Sequence, residues 1–510
     1  MGASKSAVDA PSAPKAAGAS RNTAAAAAAQ LVTSAFTAVL TYYLVHALGA
    51  KGYGVFALAV GIGTVVLLPS DFGLPAAVAR FVAEQRGQPL KAAGVLVRGM
   101  QLKLIGASLA ALGMWLASAP ISHAYGEPQL KWALRWMGLS VFGHGFVGFF
   151  STNFAAMRSV ATSLKMISCE SAFETSASVV LVAAGAGAAG AALGRAIGYL
   201  LGATVGFVLA TRLIRPVRAA WSRRRDIPTA TLARYAGAMM TVDAAYSVTI
   251  QVDILLVGGL LGAASAGQLA AVNRLFTFLT YMGLALAAGV APRLARSALG
   301  EPDTRSFGRG LRYLIVFQGV LIAPLTVWAT PVVRLLLGPG YGGSVPVMRA
   351  LAPFALLGAL APVLSLGVNY IGEARRRVPI MIGLLVLAVP LTYGLIQATG
   401  LVGAALADDL ILLLHVIAHG WLCWRLVGID VKGLWLSVAR TLVAAAAMAA
   451  ALAAFGTGQL SAVSWVLGAG AGLAAYVVAL FVLREITIDD VRAGSGVLKA
   501  RLPRWRGKPA

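Results

Sequence analysis

The sequence predicts an all-α polytopic membrane protein of about 14 transmembrane helices, built as two pseudo-two-fold-related six-helix bundles followed by two C-terminal helices. Three observations predict it. The chain is 59% hydrophobic and only 12% charged, where a soluble domain is roughly 25% charged. Apolar runs of about 20 residues recur along its length, each enough to cross a hydrocarbon core of about 30 Å. Their apolar character is continuous rather than alternating, so they satisfy their backbones as helices and not as barrel strands. Finally, the chain repeats itself at a fixed offset of 213 residues. Leu48-Gly49-Ala50-Lys51-Gly52-Tyr53-Gly54 returns as Leu261-Gly262-Ala263-Ala264-Ser265-Ala266-Gly267. Arg80 returns as Arg293, Trp115 as Trp328, and Gly187-Ala188-Ala189-Gly190 as Gly400-Leu401-Val402-Gly403.

In chain order the reading gives a polar, disordered cytoplasmic N-tail over 1–22, then spans near 24–46, 53–78, 93–117, 131–157, 166–186 and 190–211. A second set follows near 235–260, 267–291, 312–330, 346–371, 378–398 and 402–424, with two further spans near 434–456 and 462–483. The domains are therefore a first bundle over 23–211, a basic linker over 212–234, a second bundle over 235–425, helices 13–14 over 434–483 and a basic C-tail over 484–510. The first apolar run is too long for a cleaved signal and lacks a cleavage context, so it is expected to stay as a span.

Orientation comes from the lysines and arginines. With both termini cytoplasmic, 35 of the 42 fall on the cytoplasmic side, as the positive-inside rule requires. This count includes Lys103, placed with the loop between spans 2 and 3, and the linker cluster from Arg212 to Arg234. The net charge of +24 is thus explained by topology and faces anionic lipid; no nucleic-acid partner is expected. An even number of spans per copy makes both copies point the same way. Cys169 and Cys423 both lie in apolar spans and form no disulfide or metal pattern. No phosphate-binding glycine loop or nucleotide motif is present, and the loops are too short for a catalytic domain, so the chain is not expected to be an enzyme.

The run from Leu48 to Leu58, followed by Ser70-Asp71-Phe72-Gly73-Leu74-Pro75-Ala76-Ala77-Val78-Ala79-Arg80-Phe81, resembles the opening signature of Wzx-type polysaccharide flippases. These form the polysaccharide transport family of the MOP exporter superfamily. Gln251-Val252-Asp253-Ile254, Ala271-Val272-Asn273-Arg274-Leu275 and Leu337-Gly338-Pro339-Gly340-Tyr341 follow in the family's order. The resemblance spans residues 24–425. It implies a MOP-flippase-like fold, alternating access and a lipid-linked oligosaccharide as substrate. It also implies the bacterial inner membrane as location, H+ or Na+ as coupling ion with no other cofactor, and a polymerase and glycosyltransferases as partners beside the membrane lipids.

Ionisable groups inside a span are costly and mark functional or paired positions. Glu170, Glu174 and Ser178 form one stripe in span 5, and Asp243, Ser247 and Gln251 another in span 7, broadened by Asp253. Arg195 lies in span 6, Arg274 in span 8, and Asp408 and Asp409 in span 12. Arginine suits a diphosphate because its fork donates two parallel hydrogen bonds. Arg274, Arg195 and Lys51, with Asp253 and Gln251, are therefore the candidate substrate-binding residues. Asp243, Glu170, Glu174, Asp408 and Asp409 are the candidate ion-coupling residues. The competing reading is that these charges only pair with one another. Arg195 and Asp408 occupy equivalent positions of the repeat with opposite charge. His415 and His419 share a helix face with Asp408, a spacing that suits metal or proton transfer, but no third ligand has matching spacing, so no metal is expected and packing is the plainer reading. Asp71 reads as a helix break or cap. Two other functions fit a polytopic chain. A drug/cation antiporter of the same superfamily would use an acidic, aromatic pocket and usually 12 spans. A membrane polymerase or glycosyltransferase would need a larger extramembrane loop.

Overall fold

The computed structural model describes residues 16–85, 87–157, 159–213, 217–225, 229–290, 294 and 303–487. Some residues inside its helices, Asp243 among them, are described by backbone alone. The N-tail up to residue 15, Arg293 and the C-tail from residue 488 lie outside the described residues. The described residues contain helices and no strand. In the first copy of the repeat these are α1 (Ala16–Asp71), α2 (Leu74–Glu84), α3 (Pro89–Ala124), α4 (Pro128–Ala156), α5 (Val160–Ala183) and α6 (Gly187–Leu213). After α7 (Val217–Ser222) come α8 (Thr229–Thr249), α9 (Val252–Leu261), α10 (Ala263–Val290), α11 (Thr304–Gly319), α12 (Ile322–Val327) and α13 (Ala329–Leu336). The chain continues through α14 (Ser344–Ala350), α15 (Phe354–Tyr370), α16 (Arg377–Thr399), α17 (Leu401–Val427), α18 (Val431–Ala454) and α19 (Ala462–Val482).

Among the described residues, nine helices are long and apolar enough to cross a bilayer, and ten if α14 and α15, bent by 50°, make one broken span. One of the nine is Val32–Asp71, 40 residues long. At 1.5 Å per residue it reaches about 60 Å, twice the hydrocarbon thickness, and its helix is interrupted at Gly49 (φ 64°, ψ 178°). It is therefore two spans. With α4, α10 and the interrupted pair α8–α9, the described residues supply about fourteen crossings.

The repeat is present in the backbone. Gly49 and its equivalent Gly262 hold the same conformation, φ 64°, ψ 178° and φ 85°, ψ 172°. Gly187 and Gly400 are also both left-handed, with φ of 55° and 65°. Only glycine enters this region without strain, so these glycines set where each span turns into the next.

Contacts divide the chain into two compact units. Unit 1 takes the chain up to Thr41, Val66–Ser118 and Trp132–Met240; unit 2 takes Tyr42–Val65, Ala119–Lys131 and everything from Thr241. Unit 1 is packed around Val78, Leu96, Phe149, Phe150, Phe154 and Met166, with Leu232 from the start of α8. Unit 2 has one cluster around Phe307, Leu311, Val363 and Leu422 and another around Trp328, Leu452, Tyr476 and Leu480.

Within unit 2 the LGAxxxG motifs of the two copies cross each other. A methyl group added at Gly54 would run into the backbone of Ala263 and Gly267, and one added at Gly267 into that of Ala50 and Gly54. Ala50 and Ala263, like Gly54 and Gly267, are equivalent positions, so the contact is symmetric. Small residues permit this approach, as they do where membrane helices pack closely.

Helices α18 and α19 dock on α11 and α12. Trp328 Nε1 donates to the carbonyls of Leu452 and Gly456 at 3.2 and 3.1 Å, and the Tyr476 hydroxyl donates to Val316 O at 2.6 Å. Just beyond α19, the buried Glu485 accepts from Arg312 Nε at 2.8 Å, Ser437 Oγ at 2.7 Å and Arg440 at 3.2 Å. Burial alone would raise its carboxyl, but the hydrogen bonds from Ser437, Arg312 and Arg440 outweigh that and hold it below the ordinary glutamate value. A depressed native pKa stabilises the fold fully above the unfolded value, and this contribution is lost as pH falls through the native one. Glu485→Gln is therefore expected to lower stability by about 2 kcal/mol at pH 7, read as a lower unfolding temperature of purified protein. The gap to wild type should close as the pH is taken below about 4.5.

Candidate functional site

In unit 1, α5 and α6 run antiparallel with their polar and glycine residues in register. Gly194, Gly198, Gly202 and Gly206 of α6 lie against Ser178, Glu174, Glu170 and Met166 of α5. Each ladder has a spacing of four, so each occupies a single helix face. The glycines leave room for carboxylates where two helices meet. Arg195 Nη1 binds Glu174 Oε1 at 2.5 Å and Nη2 donates to the Tyr199 hydroxyl at 3.2 Å. Glu170 is 5% exposed, accepts from Ser171 Oγ at 3.1 Å and lies within hydrogen-bonding range of Glu174. The Tyr199 ring stacks on His144 with centroids 4.4 Å apart.

Unit 1 holds a second buried pair. Lys103 is fully buried and binds the Asp71 carboxylate, with Ser70 alongside. Lys103 is therefore not a loop charge, as the cytoplasmic charge count places it, but an internal one. Asp71 ends α1 at a break where Phe72 is left-handed (φ 44°), a conformation strained for a bulky residue. Gly145 leaves the space that the lysine head occupies.

In unit 2 the acidic residues of spans 7 and 12 meet. Asn273 Nδ2 of α10 donates to Asp253 Oδ2 of α9 at 2.7 Å. Asp408 of α17 faces Asp253 and Asn273. Asp253 is 3% exposed, and its Oδ1 is buried without a hydrogen-bond donor among the described residues. The cluster adjoins the interruption between α8 and α9 at Ile250–Gln251. Gly61 gives the space there, since a methyl on it would meet Gln251 Oε1 and Ile254. Asp409, the next residue on α17, is buried, and its Oδ1 also lacks a donor among the described residues.

The structure thus brings Glu170, Glu174 and Arg195 together, and Asp253 and Asp408. Arg195 lies in unit 1 and Asp408 in unit 2, each with partners in its own unit. Lys51 is exposed and pairs with Glu127 at 3.2 Å. Arg274 is half-buried on α10, next in sequence to Asn273. The Asp243 side chain lies outside the described residues. His415 and His419 stack at 4.0 Å, with Ser365 on His415 at 2.9 Å and Arg377 donating to His419 at 3.2 Å. His419 Nδ1 meets its helix carbonyl, His415 O, at 2.9 Å, so it carries the proton there and accepts from Arg377 through Nε2. The sequence reading did not single out Asn273, Tyr199, His144 or Lys103. The signal for the first site was available in the α6 glycine ladder opposite the α5 acid ladder. Asn273, a single polar residue beside a more conspicuous arginine, gave no such signal.

Comparison with known proteins finds the polysaccharide biosynthesis protein family over residues 19–297. No curated protein matches the chain by sequence. Among solved structures, the lipid II flippase MurJ in an inward closed conformation has a TM-score of 0.68 at 12% identity, covering 91% of this chain and 99% of that one. An inward-facing multidrug resistance MATE transporter of the MOP superfamily has a TM-score of 0.64 at 14% identity, covering 79% and 95%. The MATE multidrug transporter DinF-BH has a TM-score of 0.58 at 13% identity, covering 83% and 98%. At these identities the likeness is one of fold.

Proposed function

The chain belongs to the polysaccharide biosynthesis protein family, and on that premise we propose that it flips a polyprenyl-diphosphate-linked oligosaccharide across the bacterial inner membrane. The movement is by alternating access of the two six-helix copies over 23–211 and 235–425, with both termini cytoplasmic and helices 13–14 appended. It serves surface or exopolysaccharide assembly, upstream of a polymerase and downstream of glycosyltransferases.

The observation that carries the reading is the Asp253–Asn273–Asp408 cluster beside the broken span. Two carboxyls that face each other, one of them held by a neutral amide, need a proton or a cation between them. Interrupted helices that line a polar site at mid-membrane are a recurring feature of secondary transporters. Asp253 and Asp408 then hold the coupling H+ or Na+, with Asp409 on the same helix as Asp408 and Asp243 on the preceding half-span α8 as secondary acceptors. The Glu170–Glu174 pair already contains its own cation, Arg195, and couples by releasing that arginine when a proton replaces it. Arg274, with Lys51 and the released Arg195, binds the diphosphate, and Gln251 contacts the glycan.

The test is a deletion strain. Lipid-linked repeat units should accumulate on the cytoplasmic face of its membrane, and the wild-type chain should clear them. Asp408→Asn should restore clearance about tenfold more slowly at equal protein level. A normal transbilayer distribution in the deletion strain would sink the proposal. Drug exchange is the second reading, favoured by the fold shared with the multidrug transporters. It would be supported if the strain lost resistance to cationic dyes while its glycolipids stayed correctly distributed.

A further inference from the structure

The repeat exposes a difference between its copies. In the second copy Trp328 is 2% exposed, covered by α18 and α19 through the hydrogen bonds to Leu452 and Gly456 and by the Trp465 ring at 5.0 Å. Its equivalent in the first copy, Trp115 on α3, is 38% exposed. Helix α3 is also the least buried of the spans, with 17% of its most apolar window covered. Where the second copy buries Met348, the first carries Arg135 on α4.

Arg135 has an unusual setting. Its guanidinium lies over the rings of Trp115 and Trp132, 4.9 and 4.7 Å from their centroids, and its Nε donates to the Ser118 hydroxyl at 3.3 Å. Both indoles present their π-systems to the cation. Its terminal nitrogens, whose hydrogens lie in the plane of the fork, have no carboxylate within salt-bridge range among the described residues. Trp132 is 50% exposed and stacks on Trp136. Arg135 lies seven residues into α4, about 10 Å below the helix start, on the membrane face opposite the basic loops. That is the level at which indoles collect in the interfacial belt. Below it Ile105, Leu109, Leu112 and Leu116 are 55–68% exposed. Their spacing makes one stripe of α3 about 16 Å long, close to the depth of one leaflet.

We propose that Trp115, Trp132 and Arg135 bind the phosphate of an anionic membrane phospholipid, whose acyl chain lies along the α3 stripe. The fork supplies two donors to the phosphate oxygens, and a headgroup of net charge −1 neutralises an arginine that has no protein counter-ion. A zwitterionic headgroup brings its own cation and lacks this advantage. An apolar helix pair like α18–α19 would instead have to bury that charge, which is costly.

The experiment uses the full-length chain in nanodiscs of phosphatidylcholine with increasing phosphatidylglycerol, followed by native mass spectrometry of the lipid retained. Wild type should retain phosphatidylglycerol over phosphatidylcholine, with half-saturation about tenfold lower than in Arg135→Gln. Arg135→Lys, which keeps the charge but loses the fork, should fall between them, and Trp132→Ala should weaken retention by a smaller factor. Equal unfolding temperatures of wild type and Arg135→Gln in pure phosphatidylcholine establish that the variant is folded; if Arg135→Gln does not fold, Arg135→Lys and Trp132→Ala carry the comparison. The proposal is overturned by equal retention of phosphatidylglycerol in wild type and the variants. Equal retention of the two lipids, displacement by millimolar inorganic phosphate, or a co-purifying membrane protein protecting Trp115 and Trp132 would overturn it too.

Discussion

Glu174→Leu is expected to destabilise the protein by about 3–5 kcal/mol. The substitution leaves the Arg195 guanidinium in the membrane interior without its bound carboxylate, with the Tyr199 hydroxyl and ring and the charge of Glu170 remaining to it. Arg195→Met should cost less, because Glu170 and Glu174 sit within hydrogen-bonding range of each other and can share a proton. The double variant, which removes both charges at conserved volume, should recover most of the lost stability. Thermal unfolding of the four proteins in one detergent gives the pairwise coupling. The same four should be compared in the accumulation assay. A double variant that is stable yet does not clear lipid-linked repeats separates a working role for the pair from a merely structural one. If both single variants unfold like wild type, the Glu174–Arg195 pair does not hold α5 to α6.

The second large effect is expected at the crossing of the two LGAxxxG motifs. Gly54→Val and Gly267→Val each place a branched side chain against backbone atoms of the other motif. Backbone cannot turn aside as a side-chain end can, so the helices must separate, at a cost of about 3 kcal/mol or more. Folded yield by fluorescence-detected size exclusion should fall for both variants to a similar extent, because the contact is symmetric. Gly383→Ala, where nothing lies within 4 Å of the added methyl, is the silent control. Normal yield from Gly54→Val would show that the motifs do not touch.

Much of the fold was legible because membrane physics writes it in long, redundant signals. A span needs about 20 apolar residues, and the 213-residue echo located equivalent turns, as Gly49 and Gly262 demonstrate. What the apolar pattern could not show was where spans break. The interruption at Ile250–Gln251 falls inside a run that reads as continuous, and the break at Phe72 falls inside the 53–78 span, where the polar Asp71 marks it. Each is marked by a glycine or a polar residue whose role depends on a neighbouring helix. The charges divide in the same way. The α5 stripe of Glu170 and Glu174 was readable from helical spacing alone. The positive-inside count places Lys103 with the cytoplasmic loop charges, whereas its long side chain is enclosed by unit 1 and answered by Asp71. The meeting of Asp253 with Asp408, 155 positions away, is a tertiary fact that no local spacing encodes.

The crossing at Gly54 and Gly267 has a further consequence. Ala50 faces Gly267 while Ala263 faces Gly54, which is the reciprocity of an isologous interface, where one patch serves as both sides of the contact. A single copy of the repeat therefore already contains a complete, self-complementary joint. Two identical half-length chains inserted in the same direction would meet through it without any new residue, and the joined chain keeps that contact within itself.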